Sequence, residues 1–380
     1  MLFELSEEQL MIQQAARDFA QTELKPGVIE RDEHQKFPKE QVQKLGELGF
    51  LGMMVDPKYN GSGMDAVSYV LVMEELSKVD ASASVVVSVN NSLVCYGLEA
   101  YGNEVQKEKY LKSLASGEKI GAFCLSEPEA GSDATSQQTT AEDMGDYYLL
   151  NGTKNWITNG STASTYLVIA QTHKELRHKG INAFIVEAGT PGFTIGPKEN
   201  KLGIRGSDTH SLMFNDVKVP KENRIGEDGF GFSFAMKTLE GGRIGIAAQA
   251  LGIAAGAYEL ALEYSKQRKS FGKPISDHQA IAFKLADMAT QIEAARMLVY
   301  KAAWLKDQGQ SYTLAGSMAK LFASKVAMDV TVEAVQIHGG YGFVKEYHVE
   351  RLMRDAKITQ IYEGTSEIQK MVISRSILSK

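Results

Sequence analysis

Only two cysteines occur in 380 residues, Cys95 and Cys124. They make neither a disulfide framework nor a metal-ligand spacing. A reducing interior such as a bacterial cytoplasm is therefore the expected compartment, or the mitochondrial matrix for a mature eukaryotic chain. There is no basic block, and the 41 Lys and Arg against 47 Asp and Glu leave a net charge of −6, which argues against a nucleic-acid partner. No apolar run reaches the roughly 18 residues of a membrane span. The N-terminal stretch "MLFELSEEQLMIQQAARDFA" lacks a basic leader. It reads as an amphipathic helix carrying Phe3, Leu5, Leu10, Ile12, Ala16 and Phe19, with no targeting peptide evident. P-loop, H-E-x-x-H and G-x-S-x-G motifs are missing. The seven histidines do not cluster at metal-ligand spacing, so His210, His278, His338 and His348 read individually as structural or surface residues, and no metal is expected. One stretch, "GSGMDA" at 61–66 with Asp80 beyond it, fits G-x-G-x-x-A. No strand runs into its first glycine, so it reads as an ordinary turn.

What is present is an ordinary globular composition, 43% hydrophobic and 23% charged, with neither internal repeats nor low-complexity tracts. The texture changes twice. Residues 1–118 carry helical spacing, with Ser6 and Gln9 as a capping box and Pro38 in a first turn. Residues 119–228 hold short β-branched and aromatic runs separated by Gly, Asn and Pro: "GAFCLSE", "YYLLNGTKNWITNG", "STYLVIAQT", "NAFIVEA", "FTIGP" and "SLMFNDVKVP". Residues 229–380 return to long helical patterns of bundle length. The expected fold is α+β and mostly α: an N-terminal helical domain, a middle antiparallel β-barrel-like domain and a C-terminal four-helix bundle.

Five stretches could carry chemistry. "FCLSEPEAGSD" (123–133) leaves a strand with exposed hydroxyls and a turn, suited to a polar ring edge or phosphate, or simply to a surface loop. "NWITNG" (155–160) sets Trp156 near Thr158; read alone, that Trp is a core residue more readily than a stacking plate. "QRKSFGKPISDHQ" (267–279) puts Arg268 and Lys269 at a helix end, which suits either the helix dipole or a pyrophosphate. "QIHGGYGF" (336–343) is a glycine helix stop that would also let a ligand approach the backbone. "QIYEGTSEIQ" (360–369) sets Glu363 in a short loop, with Ser366 and Gln369 as an S-x-x-Q capping box behind it. Glu363 alone is either a solvated loop acid or a base.

In this order, these five stretches resemble the motifs of the acyl-CoA dehydrogenase family, and the resemblance covers essentially the whole chain. "SVNNSLVCYG" and "GGRIGIAAQALGIAAGAYE" look most like its short-chain, butyryl-CoA branch. The resemblance implies an FAD-dependent oxidoreductase of fatty acid β-oxidation. It would convert a short acyl-CoA to the trans-2-enoyl-CoA, with electron-transfer flavoprotein as acceptor. Phe123, Leu125 and Ser126 would line the pyrimidine side of the flavin, Trp156 would cover a face, and Thr158 would reach the N5 edge. Arg268, Ser270, Phe271, His278 and Gln279 would meet the pyrophosphate and adenosine half. Gln336, Gly339 and Gly340 would serve the FAD of a neighbouring subunit, with Thr365 and Glu367 on the same cofactor; this implies a homo-oligomer, a tetramer by family habit. Ser132 and Arg243 would contact acyl-CoA, Glu240 the CoA adenine end, and Gly364 would leave room for the thioester. Glu363 would be the base. Some relatives carry the base beside the substrate-binding Arg instead, but here that neighbourhood reads "EGGR", and neither Gly241 nor Gly242 can act as one. Two departures stand out: Glu129 where the family commonly has Gly, and Phe123 where some branches have Tyr. Other readings are a branched-chain or medium-chain substrate, oxygen as acceptor, a non-catalytic flavin-binding partner protein, or a helical scaffold with a β insert.

Overall fold

The computed structural model describes residues 4–379, so Phe3 of the first amphipathic stretch lies outside the described residues. The first helix, Glu7–Phe19, opens on the expected box: the Gln9 N–H donates to Ser6 Oγ and the Ser6 N–H to Gln9 Oε1, both at 3.1 Å. Pro38 stands one position earlier than expected, at the cap of helix Lys39–Glu47. Helix Ala66–Ser77 begins at the Asp65 cap. Residues 61–65 form a loop rather than a strand-to-helix turn. Asp80 caps the next helix by accepting from the Ser82 and Ala83 N–H groups, so the dinucleotide-like match is a turn followed by two N-caps.

The middle region is one mixed sheet. Its strands are β1 Gly121–Cys124, β2 Thr140–Asp143, β3 Tyr147–Thr158, β4 Thr165–Gln171, β5 Ile181–Glu187, β6 Phe193–Lys198, β7 Thr209–Pro220 and β8 Arg224–Ile225. The order is β6-β7-β3-β2-β4-β5-β8, with β1 also on β4. Two expectations change here. No closed barrel forms among the described residues, because one end of the order is the two-residue β8 and the other is β6, which pairs only with β7. Nor is the sheet wholly antiparallel: β1 and β2 each pair parallel with β4, β1 along its start and β2 at its final residue, Gln171. Strand β4 is buried throughout; Leu167 and Ile169 join a core with helical residues such as Leu98 and Phe234, while Tyr166 and Val168 join the core of the opposite face.

The C-terminal region packs helices Gly231–Gln267, Gln279–Asp307, Thr313–His338 and His348–Ile358 together, and Ser366–Leu378 lies along the third of them. Its small residues permit backbone-to-backbone approach. A β-carbon on Gly252 would stand 2.3 Å from the carbonyl oxygen of Glu74 on helix Ala66–Ser77. A single apolar core consequently includes Ala16, Val70 and Leu76 as well as Leu251, Val299 and Leu352. Two helical stretches, 81–101 and 231–267, are long and apolar enough to cross a membrane by composition, contrary to the reading of the sequence as runs; in the fold both are largely buried inside the protein.

Candidate active site

Glu363 sits in the loop between helices His348–Ile358 and Ser366–Leu378, with a left-handed backbone (φ 52°), and Gly364 follows at φ 93°. A non-glycine residue there is strained unless its surroundings hold it. Three side chains do so. Gln369 Nε2 donates to the Glu363 carbonyl at 3.3 Å and to the Gly364 carbonyl at 2.9 Å. Lys320 Nζ donates to the same Gly364 oxygen at 2.5 Å. Tyr362 is fixed by a short hydrogen bond from its hydroxyl to Gln249. The helix cap lies one residue before the expected Ser366: Thr365 Oγ1 accepts from the Ile368 N–H, and Gln369, freed from any capping box, reaches back over the loop instead.

The residue is part-exposed, but its Oε2 is fully buried and has no hydrogen-bond partner. Burial pushes the Glu363 carboxyl up to about 7, against the opposing pull of Lys320 and Arg243. Arg243 is itself buried; its Nη1 donates to Ser317 Oγ at 3.3 Å, while its Nε has no partner. Glu240 lies three residues earlier on the same helix and, together with Glu363, offsets the burial that lowers the Arg243 guanidinium. The glycines of "EGGR" differ in role: a β-carbon on Gly242 would stand 2.0 Å from Glu363 Oε2, whereas Gly241 has nothing closer than 3.7 Å.

The other predicted residues fall into two groups. Phe123 and Leu125 belong to the same packing cluster as Leu93 and Tyr362. Ser126 accepts from the Asn155 N–H at 2.9 Å, which ties this segment to the end of β3. There β3 slips register against β7 between Lys154 and Ile157. At that bulge Trp156 takes φ 62° and stands 62% exposed, so it is not the core residue that its chemistry alone suggests. Thr158 ends the strand half-buried, and Ser132 is exposed in the loop after β1, near exposed Glu129.

The second group lies on the helical bundle. Lys269–Ser270 and Lys273–Pro274 pair as a small hairpin whose turn, Phe271–Gly272, has φ 51° and 82°, so Phe271 projects 94% exposed. His278 Nε2 lies 3.2 Å from the Ser270 carbonyl, and exposed Gln279 opens the next helix. Arg268 lies 5.5 Å over the ring of Tyr341, in the turn that begins at Gly339 and Gly340. Those two glycines and Gly272 face open space, and Gln336 is exposed on the preceding helix. Arg268 thus joins the start of the 268–279 segment to the Gly339–Phe343 turn.

Three segments match the acyl-CoA dehydrogenase family: its N-terminal domain at residues 6–118, its middle domain at 122–217 and its C-terminal domain at 229–378. The chain belongs to the acyl-CoA dehydrogenase family. It is 53% identical over 375 residues to the short-chain specific acyl-CoA dehydrogenase of Clostridium acetobutylicum, covering 99% of both chains. It is 49% identical over 376 residues to CarC, a subunit of the caffeyl-CoA reductase-Etf complex of Acetobacterium woodii, covering 99% of each. Among solved structures, butyryl-CoA dehydrogenase from Megasphaera elsdenii superposes with a TM-score of 0.98 at 53% identity, over all of both chains.

Some of the groups that brace the site carry no motif signal, Lys320 and Lys154 among them, while Gln369 and Glu127 lie inside two of the five stretches without their bracing roles being marked. Besides Lys320 and Gln369, the bracing groups include a buried ion pair beneath the segment after β1. Lys154 Nζ donates to Glu127 Oε1 at 2.7 Å, to Gln137 Oε1 at 2.6 Å and to the Leu125 carbonyl at 3.1 Å. Glu127 accepts in turn from the Gln138 and Thr139 N–H groups. Three acceptors match the three protons of an ammonium, so Lys154 is charged although burial pulls it down to about 8. Within the acyl-CoA dehydrogenase frame, the site suits a flavin: an exposed indole face at Trp156, a braced backbone at Leu125–Ser126, and glycines 339 and 340 open to close approach.

Proposed function

We propose that the protein is a short-chain acyl-CoA dehydrogenase, taking a butyryl-CoA-like thioester to its trans-2-enoyl form with FAD as cofactor and electron-transfer flavoprotein as acceptor. The observation that carries this is the Glu363 carboxyl, which has a buried, unpartnered Oε2 and is pushed up to about 7. A base with that affinity is half-ionised near neutral pH and strong enough to share the α-proton of a thioester whose enolate is being stabilised. The Glu363 N–H, in the family manner, donates to the thioester oxygen, an oxyanion-type effect of about 3–4 kcal/mol. Gly364 carries no side chain, which leaves the thioester room beside the base. Arg243 and Ser132 hold the acyl-CoA, and Glu240 meets its CoA portion.

Phe123, Leu125, Ser126, Trp156 and Thr158 hold the flavin ring. Bound FAD supplies the acceptor for the β-hydrogen, which leaves as hydride while the α–β double bond forms. Arg268, Ser270, Phe271, His278 and Gln279 meet the pyrophosphate and adenosine half of FAD. Gln336, Gly339 and Gly340, beside the turn on which Arg268 rests, serve the FAD of a neighbouring copy, with Thr365 and Glu367 on that same cofactor. A homotetramer in a bacterial cytoplasm accommodates this sharing. The name of the Acetobacterium woodii relative favours one variation, the same site run as an enoyl-CoA reductase within an electron-transfer complex. The domain division at about 118 and 228 follows the two changes of texture.

Glu363→Gln tests the assignment. The purified variant should remain yellow with FAD but fail to bleach with butyryl-CoA under anaerobic conditions. Bleaching at near wild-type rate would show that another group takes the proton.

A further inference from the structure

Lys320 is completely buried on helix Thr313–His338 and was marked by no motif. Packing alone would be better served there by an apolar side chain, because an ammonium removed from water is costly without a compensating acceptor and counter-charge. Lys320 finds both in one place. Its acceptor is the Gly364 carbonyl, 2.5 Å away, and its counter-charge is Glu363, which opposes the burial that pulls the Lys320 ammonium down to about 8. The backbone it grips is the positive-φ pair Glu363–Gly364. Gln369 donates to that Gly364 carbonyl and also to the Glu363 carbonyl, and its own buried Oε1 has no partner.

We propose that Lys320 is a positioning residue for the reaction: its ammonium, seated on the Gly364 carbonyl, locks the left-handed turn that aims Glu363 and supplies the buried positive charge against which that carboxylate ionises. This rests on the reading of Glu363 as the base. The other titratable and charged groups facing Glu363 are Arg243 from helix Gly231–Gln267, Tyr69 from helix Ala66–Ser77 and Tyr362 from its own segment, with Glu367 and Arg243 acting on Lys320 and Glu240 acting on Arg243. Lys320 and Gln369 therefore divide two tasks that most residues would combine. Both fix the geometry, and only Lys320 brings charge.

Two substitutions separate the tasks. Lys320→Gln keeps a donor for Gly364 and removes the charge. Glu363 should then hold its proton more tightly, so the acid limb of kcat/KM for butyryl-CoA with FAD-loaded protein moves to higher pH by roughly one unit. The rate should recover to within a few-fold of wild type at pH about 9. Gln369→Leu loosens the turn with no change of charge, so kcat should fall about tenfold at every pH with the limb unmoved. Lys320→Met, lacking any donor, should show both effects. The proposal is overturned if Lys320→Gln leaves the limb in place, or if Gln369→Leu moves it as far; the second arm decides even if the lysine variants do not fold. Glu363→Gln is measured in parallel. If it remains active, the reading of the base fails and the role of Lys320 falls with it. If it is inactive while the limb stays put in Lys320→Gln, only the role of Lys320 fails.

Discussion

Glu363 occupies the space that a side chain at position 242 would need. A β-carbon on Gly242 would lie 2.0 Å from Oε2 of Glu363 and 2.8 Å from Leu93 Cδ2, whereas its neighbour Gly241 has ordinary clearance. Gly242→Ala must therefore move the carboxylate. A displacement of about 1 Å is expected to cost on the order of 100-fold in kcat. Gly241→Ala should keep near wild-type activity and, as a helix-interior replacement, gain up to about 1 kcal/mol in stability. Steady-state kinetics on the two variants, with FAD absorbance as a check on cofactor loading, compare them directly.

The raised Glu363 carboxyl also predicts a stability trend. Its folded value of about 7 lies above the ordinary 4.5, so its contribution to stability is fully present below pH 4.5 and is lost as the pH rises through 7. Glutamine imitates the protonated form at every pH. Apo Glu363→Gln should melt higher than apo wild type at pH 8, and the gap should close as the pH falls from 7 to 4.5. A constant gap across that window would mean that Glu363 titrates as an ordinary carboxylate.

Trp156 offers a separation of cofactor binding from folding. Because it stands 62% exposed on a bulge, Trp156→Ala should change stability of the apoprotein by no more than about 0.5 kcal/mol. If its ring lies on the flavin, losing the stacking contact should weaken FAD binding roughly tenfold. Thermal melting of the apoprotein and fluorescence titration with FAD provide the two readings.

The Lys154–Glu127 pair should behave in the opposite way. Lys154→Met strands a buried carboxylate and should cost about 3–5 kcal/mol. Adding Glu127→Leu removes that charge but leaves the Gln138 and Thr139 N–H groups without their acceptor, so the double variant should recover only part of the loss. Melting of the single and double variants measures this recovery.

The sequence carried most of the architecture because periodicity and punctuation are local signals. Strands β1, β3, β4, β5, β6 and β7 each announced themselves by β-branched or aromatic runs. Strand β2, "TAED", is polar and short and gave no such signal; it is a strand because β3 supplies an antiparallel ladder along its whole length, with β4 adding one pair at Thr140. The open edge of the sheet and the exposure of Trp156 depend on pairing register, which a single strand does not encode. Among the site residues, those with unusual neighbours were visible: Glu363 in its loop, Arg268 before a turn, Gly339 and Gly340 at a helix stop. Lys154 and Lys320 looked like ordinary lysines, since burial is a property of the assembled chain. Gln369 was visible but was read as a helix cap, a role that the preceding Thr365 removes.

The shared core of the first and last helices bears on how the protein is made. Helix Ala66–Ser77, on which helix Glu7–Phe19 packs, reaches its final environment only when helix Gly231–Gln267 arrives to cover it. On the ribosome the N-terminal helices emerge first and must wait for most of the chain, with their apolar faces uncovered. Contacts of such long sequence separation slow folding and lengthen that exposure. A chain arrested after residue 228 would present half of a core to the cell, and so should be a client for chaperones and proteases rather than a smaller folded protein.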